Sequence, residues 1–374
     1  MRLRHTARRS GFTLVELIVA AGLTVLIMAV LATGFQVGLQ SLSTLKSAGD
    51  LADRLRTTET MLRLDLDAPH FDTGSNPGSL PLSELGIGVA PAGGFFQIRQ
   101  GGASVLEGID QDSLSSTRVV TSAIPVAVTA STTHSLSMTV RRTGKTPGDL
   151  FAAVDGGVGT ILAQPANQMD VAVTGSTYVT DWAEVHWFLD TSRPVVQNGV
   201  TTFPLCRRVR LLTKSPPPLP PAPPGSSLAE VVSADPAGNT NTLATIANPA
   251  NRLVPAAFTA LANPVRFGDD IVITNVVSFE VKPTWQPVVG GPAPRTNFAP
   301  SAPSVLNADF PFDDLSPGNG VNTVFDTFLG GFAPAITSPA NQVTPVRITG
   351  VQIKIRVYDA KNKLTRQAVV TSKL

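Results

Sequence analysis

The sequence predicts an α+β protein: one long N-terminal hydrophobic helix packed on a mostly antiparallel β-sheet domain with long Pro/Gly-rich loops. Three observations carry that expectation. No proline occurs between Phe12 and Ala68, so a helix can run unbroken for about 55 residues, or roughly 80 Å, before Pro69 stops it. Beyond Pro69 the apolar residues recur with period two between turn residues, the pattern of half-buried strands. Thirty-one Gly and 31 Pro in 374 residues exclude an all-helical body.

Length and composition set the frame for each element. A chain of 374 residues can build one large domain or two ordinary ones with a real core. It is 43% hydrophobic but only 15% charged, below the roughly 25% usual for soluble domains. β-Branched residues and Leu throughout exclude a wholly disordered chain. The first eleven residues hold Arg2, Arg4, Arg8 and Arg9 and no acid; the remainder has 25 basic and 27 acidic residues. The formal charge of +2 therefore belongs to that basic head, and no nucleic-acid partner is expected. Cys206 is alone, which rules out an intramolecular disulfide. In the strand-like stretch Phe203–Leu212 it reads as a small buried hydrophobe, with a catalytic thiol or an intermolecular bridge as alternatives.

The N-terminus is the most informative segment. A basic head, MRLRHTARRSG, precedes the apolar run FTLVELIVAAGLTVLIMAVLATGF. An ordinary secretory signal has the same outline, and Val30-Leu31-Ala32 offers a signal-peptidase triplet. Two features favour a retained helix. No charge occurs between Leu17 and Leu45, more than the roughly 20 residues needed to span a bilayer. Glu16 interrupts the run at its fifth position, where a carboxylate costs about 2.5 kcal/mol or more at mid-membrane depth. Such a charge needs a partner, and none is expected within one turn of its own helix.

The stretch Gly11-Phe12-Thr13-Leu14-Val15-Glu16-Leu17 resembles the cleavage signal of type IV prepilins and type II secretion pseudopilins. The resemblance implies that a membrane-bound prepilin peptidase cuts between Gly11 and Phe12 and that Phe12 is then N-methylated. It also implies that Glu16 of one subunit pairs with the Phe12 amine of a neighbour during assembly. Many type IV pilins carry a proline near the twenty-second mature position, where this chain has Thr33; that departure favours a minor subunit over a major pilin.

The expected organisation is a leader over 1–11, a membrane or filament-core helix over 12–35, its amphipathic continuation over 36–68, and a β-rich domain over 69–374. In the continuation, Ala48, Leu51, Leu55, Leu62 and Leu66 form a stripe at three- and four-residue spacing, while Asp53, Arg56, Glu59, Arg63 and Asp67 fall largely outside it. Strands are predicted over Gly94–Gln100, Arg118–Thr121, Pro125–Thr129, Leu136–Arg142 and Ala183–Leu189. Others are predicted over Leu205–Thr213, Ile271–Lys282, Val346–Tyr358 and Gln367–Thr371. Near the end the apolar phase switches, with Val346 and Ile348 even but Val351, Ile353, Ile355 and Val357 odd. A β-bulge at Gly350 keeps both halves on one core, and Gln352, Lys354 and Arg356 make the other face wet. The segment 214–227, KSPPPLPPAPPGSS, reads as an extended, exposed spacer, and Trp285–Ala340 as loop.

A second similarity narrows the family. Arg63-Leu64-Asp65-Leu66, followed by Val185–Leu189, Leu205–Val209, Val276–Val281, Trp285 and Pro345-Val346-Arg347, is similar in order to the J-type minor pseudopilins. The chain also resembles the pilin-like protein C of a four-protein cassette in verrucomicrobia. These similarities imply an inner-membrane anchor, a periplasmic domain, and partnership with other pilins or pseudopilins through the helix. An alternative is a membrane-tethered surface-binding protein that uses the same anchor without polymerising.

Chemistry is sparse. His5, His70, His134 and His186 lack metal-ligand spacing, and no nucleophile elbow or phosphate-binding glycine loop occurs. Asp309, Asp313, Asp314 and Asn319 offer oxygens, but not at the spacing of a calcium loop. Neither cofactor nor enzymatic activity is expected.

Overall fold

The computed structural model describes residues 13–72, 82, 85, 90–100, 132–154, 177–213, 232–252, 269–287, 323–328, 331–334 and 344–374. It has the expected α+β architecture, a long helix followed by a large curled antiparallel sheet. Two compact units divide the chain, Met1–Asp53 and Arg54–Leu374.

Helix α1 runs Leu14–Leu66, 53 residues, two residues inside the predicted start and end. Its early side chains are exposed, Leu14 by 77% and Phe35 by 71%. Hydroxyls on this apolar stretch are satisfied within the helix. Thr24, Thr33 and Thr44 donate to the carbonyls of Ala20, Ala29 and Gln40 at 2.8–2.9 Å, which lets them sit in hydrocarbon at little cost. In the second unit the helix buries Leu55, Thr58, Leu62, Asp65 and Leu66, while Arg56 and Arg63 stay exposed. The predicted stripe is thus correct for its three later leucines; Ala48 and Leu51 are half-buried.

The strands are β1 (Phe96–Gln100), β2 (Ser135–Arg141), β3 (Phe151–Val154), β4 (Thr177–Thr180), β5 (Trp182–Leu189), β6 (Val195–Gln197), β7 (Val200–Leu211), β8 (Asp269–Pro287), β9 (Thr323–Asp326), β10 (Gly331–Pro334), β11 (Thr344–Asp359) and β12 (Leu364–Lys373). Ten form one sheet in the order β10-β9-β1-β2-β5-β7-β8-β11-β12, with β6 beside β7; β3 and β4 pair separately. Among the described residues these strands pair with one another antiparallel, while single bridges from Leu211 to Val232 and from Thr213 to Thr242 are parallel. Strand β10 also pairs with the first two residues of β11, so the hydrogen-bonded path curls back on itself there.

Cross-strand register sorts the side chains by face. On one face Ile98, Leu136 and Trp187 lie in line, as do Phe96, Met138 and Val185, and all are at 0% exposure. Val281 opposite Ile353 and Phe279 opposite Ile355 continue the apolar core. The bulge predicted at Gly350 is present: Ile348 faces Trp285 and Gly350 faces Thr284, leaving Thr349 as the extra residue. Its hydroxyl donates to Thr284 O at 3.2 Å. A second bulge was not foreseen. Val357 faces Val276 and Arg356 faces Ser278, so Val277 is an extra residue on β8, two positions after Asn275, which has φ +62°. Val276 and Val277 are both buried at this bulge, and further back Ile273 is buried while Ile271 is 48% exposed.

Further corrections concern the loops and the wet face. The reading of Trp285–Ala340 as loop fails where β8 extends through Pro287 and where β9 and β10 form. Short strands without alternation carry too little pattern to register in sequence. The expected wet face holds at Gln352, Lys354 and Arg356, which are half-buried, but on β8 Ser278, Glu280 and Lys282 are buried. The predicted strands 118–121 and 125–129, the spacer 214–227 and the Asp309–Asn319 oxygens lie outside the described residues. Cys206 is buried against Phe188, as its apolar reading required.

Gly94 sits where β1 is entered. Its φ is +83°, and an added Cβ would collide with His70 O and lie 2.7 Å from Thr139 Oγ1. Gly94→Ala therefore combines left-handed strain with a backbone clash, and should lower stability by about 2–4 kcal/mol. Thermal unfolding of the detergent-solubilised protein would show this as a clear drop in Tm.

Candidate functional site

The predicted site residues lie at the start of α1. Gly11 and Phe12 fall outside the described residues; Glu16 is described and exposed. The expectation that Glu16 lacks a partner within one turn is corrected. Its Oε2 accepts from Thr13 N at 2.9 Å and Thr13 Oγ1 at 3.0 Å, while Thr13 Oγ1 lies 3.3 Å from Glu16 N. Thr13-Leu14-Val15-Glu16 is a capping box, in which the cap hydroxyl and the third-position carboxylate satisfy donors that a helix start leaves open. Its Thr-x-x-Glu spacing was legible in the sequence. Thr13 supplies hydrogen bonds but no charge, so the carboxylate still lacks a counter-cation on this helix turn.

From Leu17 to Phe35 the helix presents almost only apolar side chains all round, and no charge occurs before Lys46. It is long and apolar enough to cross a membrane. Exposed hydrophobic surface of this extent marks contact with lipid or with other apolar helices.

At the other end, α1 is fastened to the sheet by Asp65. Arg207 of β7 donates to it twice, Nε to Oδ2 and Nη2 to Oδ1, both at 2.7 Å, and Trp187 Nε1 of β5 donates to Oδ2 at 2.8 Å. Arg207 and Trp187 are directly opposite each other on neighbouring strands. Both side chains of the ion pair are nearly buried, 7% and 5% exposed. Asp65 lies in the quoted Arg63–Leu66 stretch, and its partners fall within the later segments of the same similarity. Sequence order alone did not reveal that they touch.

The opposite face of the sheet carries a buried polar line. His186 lies with Nδ1 2.8 Å from Ser137 Oγ and Nε2 2.8 Å from Glu184 Oε1. Glu184 Oε2 accepts from Arg210 Nη2 and Ser233 Oγ, each at 2.7 Å. Arg208 pairs with Asp269 beside them. A neutral imidazole fits this setting: Nε2–H points at the carboxylate and Nδ1 accepts the serine hydroxyl. Burial lowers the His186 pKa, and the Arg210 and Arg208 cations add to that against the pull of Glu184. For Glu184 burial acts upward, but Arg210, His186 and Ser233 outweigh it and hold the carboxyl far below its ordinary range. The order serine, histidine, carboxylate matches a nucleophilic triad. However, Ser137 is 2% exposed, His186 1% and Glu184 0%, so here it ties β2, β5, β7 and the Ser233 segment together. The predicted strand Ala183–Leu189 contains both Glu184 and His186, and no sequence signal announced that they are covered.

His70 is also buried, with Nδ1 2.7 Å from Thr139 O and Nε2 3.2 Å from Leu66 O. Burial lowers its pKa despite these two carbonyls. A separate groove of about 390 Å³ is lined by Phe71, Arg141, Asp181, Trp182, Leu212 and Leu243 among others. Arg141 lies 3.4 Å from Asp181 and 5.6 Å from the Trp182 ring centre. Among the described residues, no group of three or more His, Cys, Asp or Glu is arranged to hold a metal ion.

Comparison with protein-family models, curated proteins and solved structures finds no match.

Two predictions follow from the buried charges. Asp65→Ala strands the Arg207 guanidinium and should cost about 3–5 kcal/mol, whereas Asp65→Leu with Arg207→Met should recover most of it; chemical denaturation of the three proteins measures both. Lowered folded-state pKa values for His70, His186 and Glu184 mean that the unfolded chain binds protons that the folded chain does not. Stability should therefore be full above about pH 6.5, fall as the pH drops through the ordinary histidine range, and fall further below about 4.5. His70→Gln and His186→Gln should flatten the upper limb in unfolding measurements made across that range.

Proposed function

We propose that this chain is a pilin-like structural subunit, a minor pseudopilin or prepilin. In this reading prepilin peptidase removes residues 1–11, Phe12 becomes the methylated N-terminus, and the helix anchors the chain singly in the inner membrane with its β domain in the periplasm. Assembly then moves the helix into the core of a pilus or type II secretion pseudopilus beside other pilins. The observation that carries the reading is the form of α1: an exposed, largely apolar surface over Leu14–Phe35 that stays uncharged to Leu45, opened by one acid, Glu16, shortly after the Gly11-Phe12 signal. A single-pass membrane helix accounts for the apolar surface, and the resemblance accounts for the acid.

The capping box sharpens the role of Glu16. Its carboxylate reaches back to Thr13 N, the peptide group next to Phe12, and so stands at the depth where a new α-amine would appear. A cation from a neighbouring subunit would meet a carboxylate already aimed at the helix start, and pairing would offset the cost of carrying it in hydrocarbon.

Glu16→Gln separates cap from charge, because glutamine at this position keeps the capping box. The variant should be cleaved normally and yet fail to enter filaments, read by mass spectrometry of the N-terminus and by shearing and blotting of assembled material. Normal incorporation would show that the carboxylate's charge has no part in assembly.

A further inference from the structure

The hairpin of β11 and β12 concentrates positive charge in a chain that is otherwise acidic. From 354 to 373 it carries Lys354, Arg356, Lys361, Lys363, Arg366 and Lys373 against one acid, Asp359; outside this stretch and the first eleven residues, acids outnumber bases 26 to 19. Asp359 is engaged in the turn, where it accepts from the backbone of Lys361 and Asn362 at 3.0 and 3.2 Å and from Asn362 Nδ2 at 2.6 Å. Of the neighbouring acids, Glu280 lies 3.3 Å from Lys282 and 3.8 Å from Lys354, and Asp67 accepts from Ser372 at 3.2 Å. Lys361, Lys363, Arg366 and Lys373 are exposed.

The same hairpin ends the sheet. One side of β12 pairs with β11 from Leu364 to Lys373, and among the described residues its other side has no strand. Near its end it is tethered to α1, with Arg63 Nη1 donating to Thr371 O at 3.3 Å. Upstream, Leu364–Gln367 and Val369 are exposed, Leu364 at 63% and Val369 at 40%. An edge of this kind offers a row of backbone donors and acceptors to a further strand. Its charge discriminates among partners. A second copy of β12 would bring cations against cations, which is unfavourable for directly facing residues. Single-stranded nucleic acid would want exposed rings for stacking, and the only aromatic in this stretch, Tyr358, is 5% exposed.

We propose that the β12 edge is a docking site for an extended acidic segment of a partner polypeptide. The segment adds as a strand along Leu364–Val369, with Lys363 and Arg366 flanking it on the two faces, while Lys373 further along β12 adds to the positive field that attracts it. Main-chain pairing gives affinity in such an arrangement, and the flanking charges select and steer the partner. The site is independent of the assembly reading, because it lies on the β domain and uses none of the helix residues of 12–35.

The test uses the full-length protein in non-ionic detergent. Its probes are a short peptide alternating Glu with Val, the Lys–Val counterpart, a DNA duplex and phosphatidylglycerol vesicles, with binding read by fluorescence anisotropy or co-sedimentation and backbone pairing by amide hydrogen exchange. The Glu–Val peptide should bind, protect amides within 364–369, and lose about tenfold in affinity both at high salt and in the triple variant Lys363→Glu, Arg366→Glu, Lys373→Glu. The proposal is overturned if the Glu–Val peptide does not bind or the Lys–Val peptide binds equally well. It also fails if the triple variant binds unchanged, or if binding leaves the 364–369 amides unprotected. Preferential capture of DNA or vesicles would mark a general polyanion surface instead and would equally overturn it.

Discussion

The second unit is organised around the carboxylate of Asp65, which accepts two bonds from Arg207 and one from Trp187. Those three bonds join the last turn of α1 to the two central strands β5 and β7. Their net energy is small, because desolvating both ions roughly cancels their attraction. The adhesion comes instead from Leu55, Leu62 and Leu66, each worth about 1.5–3 kcal/mol on burial. Leucines slide against an apolar sheet with little penalty, whereas a bidentate fork has one correct alignment. The apolar residues thus hold the helix on the sheet, and the ion pair selects where it rests.

The sheet itself is asymmetric in an unusual sense. Its apolar face is filled by Phe96, Met138, Val185, Phe279 and Ile355, and the reverse face is polar yet largely covered. There Ser137, His186, Glu184, Arg210 and Ser233 are linked by hydrogen bonds and close ionic contacts. A second such network links Arg252, Asp326 and Gln97, with Arg252 Nη1 and Gln97 Nε2 donating to Asp326 at 2.6 and 2.8 Å. It draws the 245–252 segment onto β1 and β9, and Arg252 also lies 3.8 Å from the Phe95 ring centre. Buried networks of this kind restrict the packing to few alternatives, because a shift separates charges that are paired away from water. The helix before Lys46 follows the opposite rule, keeping threonine hydroxyls on its own carbonyls and carrying no charge from Leu17 to Leu45.

How much of this could be read from the sequence depended on the length of each pattern. The helix was legible because a proline-free run from Phe12 to Ala68, stopped by Pro69, leaves few alternatives, and its buried leucines followed from spacing. Strands β5, β8 and β11 were legible because each is long and alternating, and the phase switch at Gly350 located a bulge to within one residue. Strands β3, β4, β6, β9 and β10 were not, since three or four residues cannot display a period. The bulge after Asn275 was hidden because two adjacent valines serve either phase. Glu16 was picked out by its cost in hydrocarbon, while its Thr13 partner followed from a spacing that was overlooked. Glu184, His186 and Arg207 could not be recognised as buried, because alternation shows that two faces differ and says nothing about what covers the polar one.

The measurement that bears most directly on the proposed function is the intact mass of the N-terminus, from membrane-extracted protein made with and without prepilin peptidase. The account predicts a chain beginning at methylated Phe12 that appears only when the peptidase is present. A chain that begins at Met1 in both cases, or at Thr33 after cutting by the general signal peptidase, would contradict it.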